Sequence, residues 1–124
     1  MEVNILGTRY EVKFENELND IRLGDCSGYC DPSIKKIVVD DFKGKNNHPL
    51  SIGDLSVLQK KILRHELIHA FLSESGLQNW SENEDFVDWI ALQMPKIAEA
   101  ERGVLDGIWS ENQKNAKKTE PFYD

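Results

Sequence analysis

His65-Glu66-Leu67-Ile68-His69, inside the stretch RHELIHAFLSESG, places two imidazoles four residues apart with a carboxylate directly after the first. On a helix, positions i and i+4 share a face and lie about 6 Å apart along the axis. Two imidazoles so placed can converge on one Zn2+ ion at about 2.0–2.1 Å each. Glu66 stands beside the first histidine and three residues before the second, so it can reach water on the metal without being a ligand. Zinc brings the pKa of such water to about 7, and a neighbouring carboxylate takes its proton. Five residues thus supply two ligands and a base. The plainer alternative is a helix whose histidines do ordinary packing. Two of the chain's three histidines fall in this one pentapeptide, which weighs against it.

A catalytic zinc site takes a third protein ligand. Downstream the chain reads WSENEDFVDWIALQMP. Glu84 lies 15 residues after His69, near the start of the next expected helix. Gly76 and the segment 77–81 give the chain room to turn back. Asp88 is one turn beyond Glu84 on the same face, placed to accept a hydrogen bond from the far nitrogen of a zinc-bound histidine. A competing local reading makes Ser81-x-x-Glu84 a capping box, with Glu84 bonding back to the Ser81 N–H. The ligand role is favoured because the histidine pair needs a partner. Glu82, Asp85 and His48 are the reserve ligands, although a loop histidine such as His48 is more simply solvated. Cys26 and Cys30 are too few for a disulfide framework and read as free thiols. A zinc role for that pair would need two more ligands.

The elements that must position these residues divide along the chain. The first half reads as strands. Residues 8–14 alternate, with Tyr10, Val12 and Phe14 on one side, and Val3 and Ile5 alternate before them. Gly7-Thr8 is the expected turn of a first hairpin. Residues 26–40 read as a second hairpin, with Asp31-Pro32-Ser33 as a turn and 34–39 as a well-covered β-branched strand. Residues 15–22 fit either a loop or a short helix. The second half reads as helices. Ser51 is the expected N-cap, with Asp54 in the first turn and Leu50 and Leu55 as a hydrophobic staple. Leu55, Leu58, Ile62, His65, His69 and Leu72 share one helical face, and Gly76 ends the helix. A second helix is expected from Ser81 to at least Met94, ended or kinked at Pro95, with 96–109 helical again. Phe71 and Leu72 are expected in the core. Trp80, Trp89 and Trp109 are read as packing residues, and the pair Asp40-Asp41 as solvated.

The chain has 124 residues, which suits one compact domain, read as 1–110 with 111–124 a polar tail. Fifteen Lys and Arg against 22 Asp and Glu leave a net charge of −7. A surface that acidic repels phosphate backbones, so nucleic acid is not an expected partner. The start of the chain has no basic region followed by an apolar run, and no stretch approaches the roughly 18 apolar residues of a membrane helix. The expected location is cytoplasmic, and no membrane partner is expected.

HELIH followed by NEDFVD resembles the gluzincin metallopeptidases, the thermolysin-like group with H-E-x-x-H and a downstream N-E-x-x-x-D. The matching positions are His65, Glu66, His69, Asn83, Glu84 and Asp88. The stretch from Glu84 to Pro95 also resembles the ImmA/IrrE-type peptidases, where Ile68 takes the place of a usual glycine. GYCDPSIKKIVVDD resembles the strand pair of minimal, single-domain gluzincins, including small phage-encoded ones. The resemblance implies an α+β, zincin-like fold: a small, mostly antiparallel sheet packed on two or three helices. It implies a zinc metallopeptidase acting on a protein or peptide, with His65, His69 and Glu84 as metal ligands, Glu66 as the base and Asp88 orienting a histidine. Tyr29, Tyr10 or His48 are the candidates to stabilise the oxyanion. The rival expectations are a non-catalytic phage or mobile-element binding module that keeps the metal as a structural pin, and a metal-free helical module.

Overall fold

The computed structural model describes residues 1–43 and 54–115. The fold is α+β, with a four-stranded mixed sheet followed by helices. Strands β1 (Glu2–Ile5) and β2 (Thr8–Glu15) form the first hairpin. Its turn is Leu6-Gly7, one residue earlier than expected, with φ of 51° and 92°. Two left-handed residues match the right-handed twist of the flanking strands, and glycine takes the second without strain. Asn4 Oδ1 accepts the Gly7 N–H at 2.7 Å. A 3-10 helix, Ile21–Gly24, occupies part of the ambiguous stretch. Strands β3 (Gly28–Asp31) and β4 (Lys36–Asp40) form the second hairpin. Asp31 Oδ1 accepts the Ser33 N–H at 3.1 Å, the side-chain-to-backbone turn its sequence anticipates. Ile34 lies in that turn and is exposed, so the covered strand begins later than residue 34.

The strand order is β1-β2-β4-β3. Both hairpins are antiparallel, but they join through a parallel seam in which Val12 faces Ile37 and Phe14 faces Val39. The sheet is therefore mixed. Ile5, Tyr10, Val12, Ile37 and Val39 form the main core with Ala70. Helix α1 (Leu55–Glu74) adds Ile62, Leu63 and Leu67 to that cluster. Its other side packs Ile68 and Leu72 against Val87, Ile90 and Ala91 of helix α3 (Glu84–Asn115). The histidines lie on α1 between these two packed sides, mostly covered and lining a groove.

Asp54, not Ser51, is the N-cap of α1: its carboxylate accepts the N–H groups of Ser56 and Val57 at 3.0 and 3.4 Å. Leu50, Ser51 and His48 lie outside the described residues. At the other end Gly76 has φ 78°, Leu77 N–H bonds Leu72 C=O at 2.9 Å and Gly76 N–H bonds Ser73 C=O at 3.2 Å. That paired closure turns the chain back toward α1. A single turn, α2 (Gln78–Ser81), follows.

The α1 C-terminus is tied to the sheet. Glu74 accepts from the Tyr10 hydroxyl at 2.7 Å and from Lys35 Nζ at 2.9 Å. These bonds, led by Lys35, hold the Glu74 carboxyl down at about 2. A carboxyl depressed by folding stabilises the fold above its unfolded value of 4.5, and the contribution is lost as pH falls toward 2. Wild type should therefore lose more stability than Glu74→Gln between those pH values, as measured by denaturant midpoints across the range.

Pro95 does not end α3, which runs unbroken to Asn115 and so includes the first residues of the expected tail. Proline has no N–H for the carbonyl four residues back, Ala91. Arg64 Nη1 supplies that donor, reaching Ala91 O at 3.0 Å. The chain forms two compact units, Met1–Ala91 and the part from Leu92 onward. No helix among the described residues is long and apolar enough to cross a membrane.

Several core expectations fail. Phe71, Trp80 and Trp89 are exposed, the two buried sides of α1 being filled by aliphatic side chains, and Trp109, within the second unit, is exposed as well. Trp80 instead lies against Phe86, ring centroids 4.8 Å apart. Asp40 is buried rather than solvated, and its carboxylate accepts the Phe42 N–H at 2.8 Å.

Candidate metal centre

Three elements deliver the predicted side chains to one point. α1 carries His65, Glu66 and His69. The closure at Gly76 and the turn of α2 bring the chain back, and α3 opens with Glu84. Asn83 caps α3, its Oδ1 accepting the Phe86 N–H at 3.0 Å. Ser81 closes α2 and does not start the next helix. The capping-box alternative therefore fails, and the Glu84 carboxylate is not spent on its own backbone.

His65 Nε2 lies 2.9 Å from Glu84 Oε2, His69 Nε2 lies 3.0 Å from Glu84 Oε1, and the two Nε2 atoms are 3.1 Å apart. His65, His69 and Glu84 form a group that could hold a metal ion. Ligands on a tetrahedral ion with bonds of about 2.0–2.1 Å sit about 3.3 Å from one another, close to the spacing here. The far nitrogens are also engaged. His65 Nδ1 is 3.2 Å from Asp88 Oδ1, and His69 Nδ1 is 3.1 Å from Ser81 Oγ. An ionised carboxylate only accepts, so Asp88 takes the Nδ1–H of His65, and Nε2 is the ring atom turned toward Glu84 and His69. Burial lowers the pKa of His69 and favours its neutral form. The two Nε2 atoms and the Glu84 carboxylate face one another, a donor set of two nitrogens and a carboxylate that could hold a cation.

Glu66 is 7% exposed and belongs to no part of this triad. Burial pushes its carboxyl up to about 7, with the nearby Glu84 adding and His65 opposing. A buried carboxyl poised there is suited to accept a proton near neutral pH. It lines a groove of about 560 Å3 together with His65, His69, Glu84, Ser81, Glu82, Tyr29 and Cys30. A second recess of about 210 Å3 shares Gly28, His65 and Glu66, and adds Leu58, Lys61 and Ile62.

Gly28 sets the closeness of β3 to α1. A Cβ there would lie 2.6 Å from Ile62 Cγ2, 3.1 Å from the Val38 carbonyl and 3.5 Å from Glu66 Cγ. Gly28→Ala should cost about 1–3 kcal/mol by overpacking, measured by chemical denaturation.

The structure brings together His65, Glu66, His69, Glu84 and Asp88. It leaves Asp85 outside the cluster, while Glu82 lines the groove without joining it. Tyr10 is buried against Glu74 and does not line the groove. Tyr29 lines it, but its hydroxyl donates to Asp20 and Arg22 lies over its ring at 3.8 Å. Burial, with that hydrogen bond, pushes the Tyr29 hydroxyl up to about 12. Both cysteines are free thiols, as expected, and both line the groove. Burial pushes Cys30 up to about 12, so it stays a thiol. Ser81 and Gly28 escape sequence reasoning: Ser81 reads there as a cap, Gly28 is given no role, and only tertiary contacts assign them. No protein-family model, curated protein or solved structure matches the chain.

Proposed function

We propose that the protein is a zinc-dependent metallopeptidase with a zincin-like arrangement of helix and edge strand. The observation that carries this reading is the convergence of His65 Nε2, His69 Nε2 and the Glu84 carboxylate within 2.9–3.1 Å, beside the buried Glu66. His65, His69 and Glu84 would hold the ion. Two imidazoles and a carboxylate favour Zn2+. Bound there, the ion supplies a Lewis acid and lowers the pKa of water. Glu66 takes the proton of the attacking water and returns it to the leaving amine. Asp88 holds the His65 ring. β3 is the last strand of the sheet, and among the described residues none pairs with its outer edge. That edge borders the groove, so an extended peptide can add to it as a strand.

The test compares zinc stoichiometry in wild type, Glu66→Gln and His69→Ala with cleavage of a broad peptide library. The reading requires one zinc in wild type and Glu66→Gln, and cleavage by wild type alone. Zinc without cleavage would favour a structural pin. A wild type that takes up no zinc under metal-replete expression would sink both metal readings.

A further inference from the structure

We infer that Ser81 is the positioning residue of His69, holding the ring so that Nε2 is bare toward the metal; the inference rests on the metal-centre reading above. Ser81 is 5% exposed, a buried hydroxyl on the last residue of α2. Its Oγ lies 3.1 Å from His69 Nδ1, 3.3 Å from the His69 carbonyl oxygen and 3.4 Å from Ser73 Oγ. A carbonyl can only accept, so the Ser81 proton goes to it. The oxygen lone pairs remain for the Nδ1 proton. One hydroxyl thereby grips both the ring and the backbone of His69. With the proton held at Nδ1, Nε2 faces Glu84 as a ligand.

The hydroxyl's place comes from the chain reversal. The closure at Gly76 and the bond from Ser81 N–H to Leu77 C=O at 3.0 Å fold α2 against α1. The two histidines are therefore held by unlike groups, His65 by the carboxylate of Asp88 and His69 by a hydroxyl. Without the Ser81 hydroxyl, the Nδ1 proton loses its acceptor in a half-buried place. The ring is then free to carry its proton on Nε2 instead, the tautomer that cannot ligate through that atom.

The test is zinc affinity, by competition with a chromophoric chelator, in wild type, Ser81→Ala and Ser81→Thr. Ser81→Ala should bind zinc about 10–100-fold more weakly, the usual effect of removing a ligand's hydrogen-bonded support. Ser81→Thr keeps the hydroxyl and should recover most of the affinity. In the zinc-loaded proteins, the His69 Nδ1–H proton resonance should be slow to exchange in wild type and Ser81→Thr, and lost to exchange in Ser81→Ala. Zinc binding by Ser81→Ala within twofold of wild type would overturn the inference. So would weakened binding with the Nδ1–H resonance still protected, which would mark a merely structural role. A wild type that binds no zinc would instead remove the metal-centre reading, a distinguishable failure.

Discussion

Glu66→Gln should lower peptide hydrolysis by about 10²–10⁴-fold while leaving one zinc per chain, the range for losing a positioned general base. Glutamine has nearly the volume of glutamate, so the close approach of β3 at Gly28 to the side chain at position 66 keeps its packing. What disappears is a buried carboxylate that lines the groove and is not among the three converging groups. Burial holds that carboxyl at about 7. The variant also loses a group whose ionisation the fold disfavours. Metal-free Glu66→Gln should therefore be at least as stable as metal-free wild type at pH 8, by denaturant titration. A rate within tenfold of wild type would remove Glu66 from the reaction.

His69→Ala should abolish tight zinc binding, by more than the 10–100-fold expected from losing a ligand's support. Nε2 of His69 is 3.1 Å from Nε2 of His65 and 3.0 Å from Glu84, so its loss leaves two donors on one side of the ion's position. The clearest readout is the zinc-induced change in stability, because truncating a half-buried ring also lowers the metal-free melting temperature. Zinc at about 1,000 times its Kd adds about 4 kcal/mol to the folded state, on the order of 10–20 °C in Tm for a domain of this size. Wild type should show such a shift, His69→Ala close to none. An equal shift in both would place the ion elsewhere.

Most of the elements are legible in the sequence because they rest on local rules. Period-2 alternation marks β2, and the absence of Gly and Pro with an i, i+4 pattern marks α1. The Gly76 stop is equally local. Pro95 misleads, because the donor that lets α3 continue comes from Arg64, 27 residues from the carbonyl it serves. The tryptophans mislead too. An aromatic favours burial in general, but the sides of α1 that face partners are already filled by aliphatic residues.

The residue types of the candidate site and the spacing of its histidines are local properties of the chain, since a helix converts i and i+4 into one face whatever surrounds it. Glu84 and Asp88, one turn apart directly after Asn83, are likewise readable along the chain. That Glu84 faces the histidines is settled by the fold, because its choice between backbone and cluster depends on Asn83 taking the cap. The parallel seam of β2 and β4, the close approach at Gly28 and the hydroxyl of Ser81 behind His69 were decided there as well. Each is a contact between segments that no local propensity links, and its free energy exists only once the chain has folded back on itself.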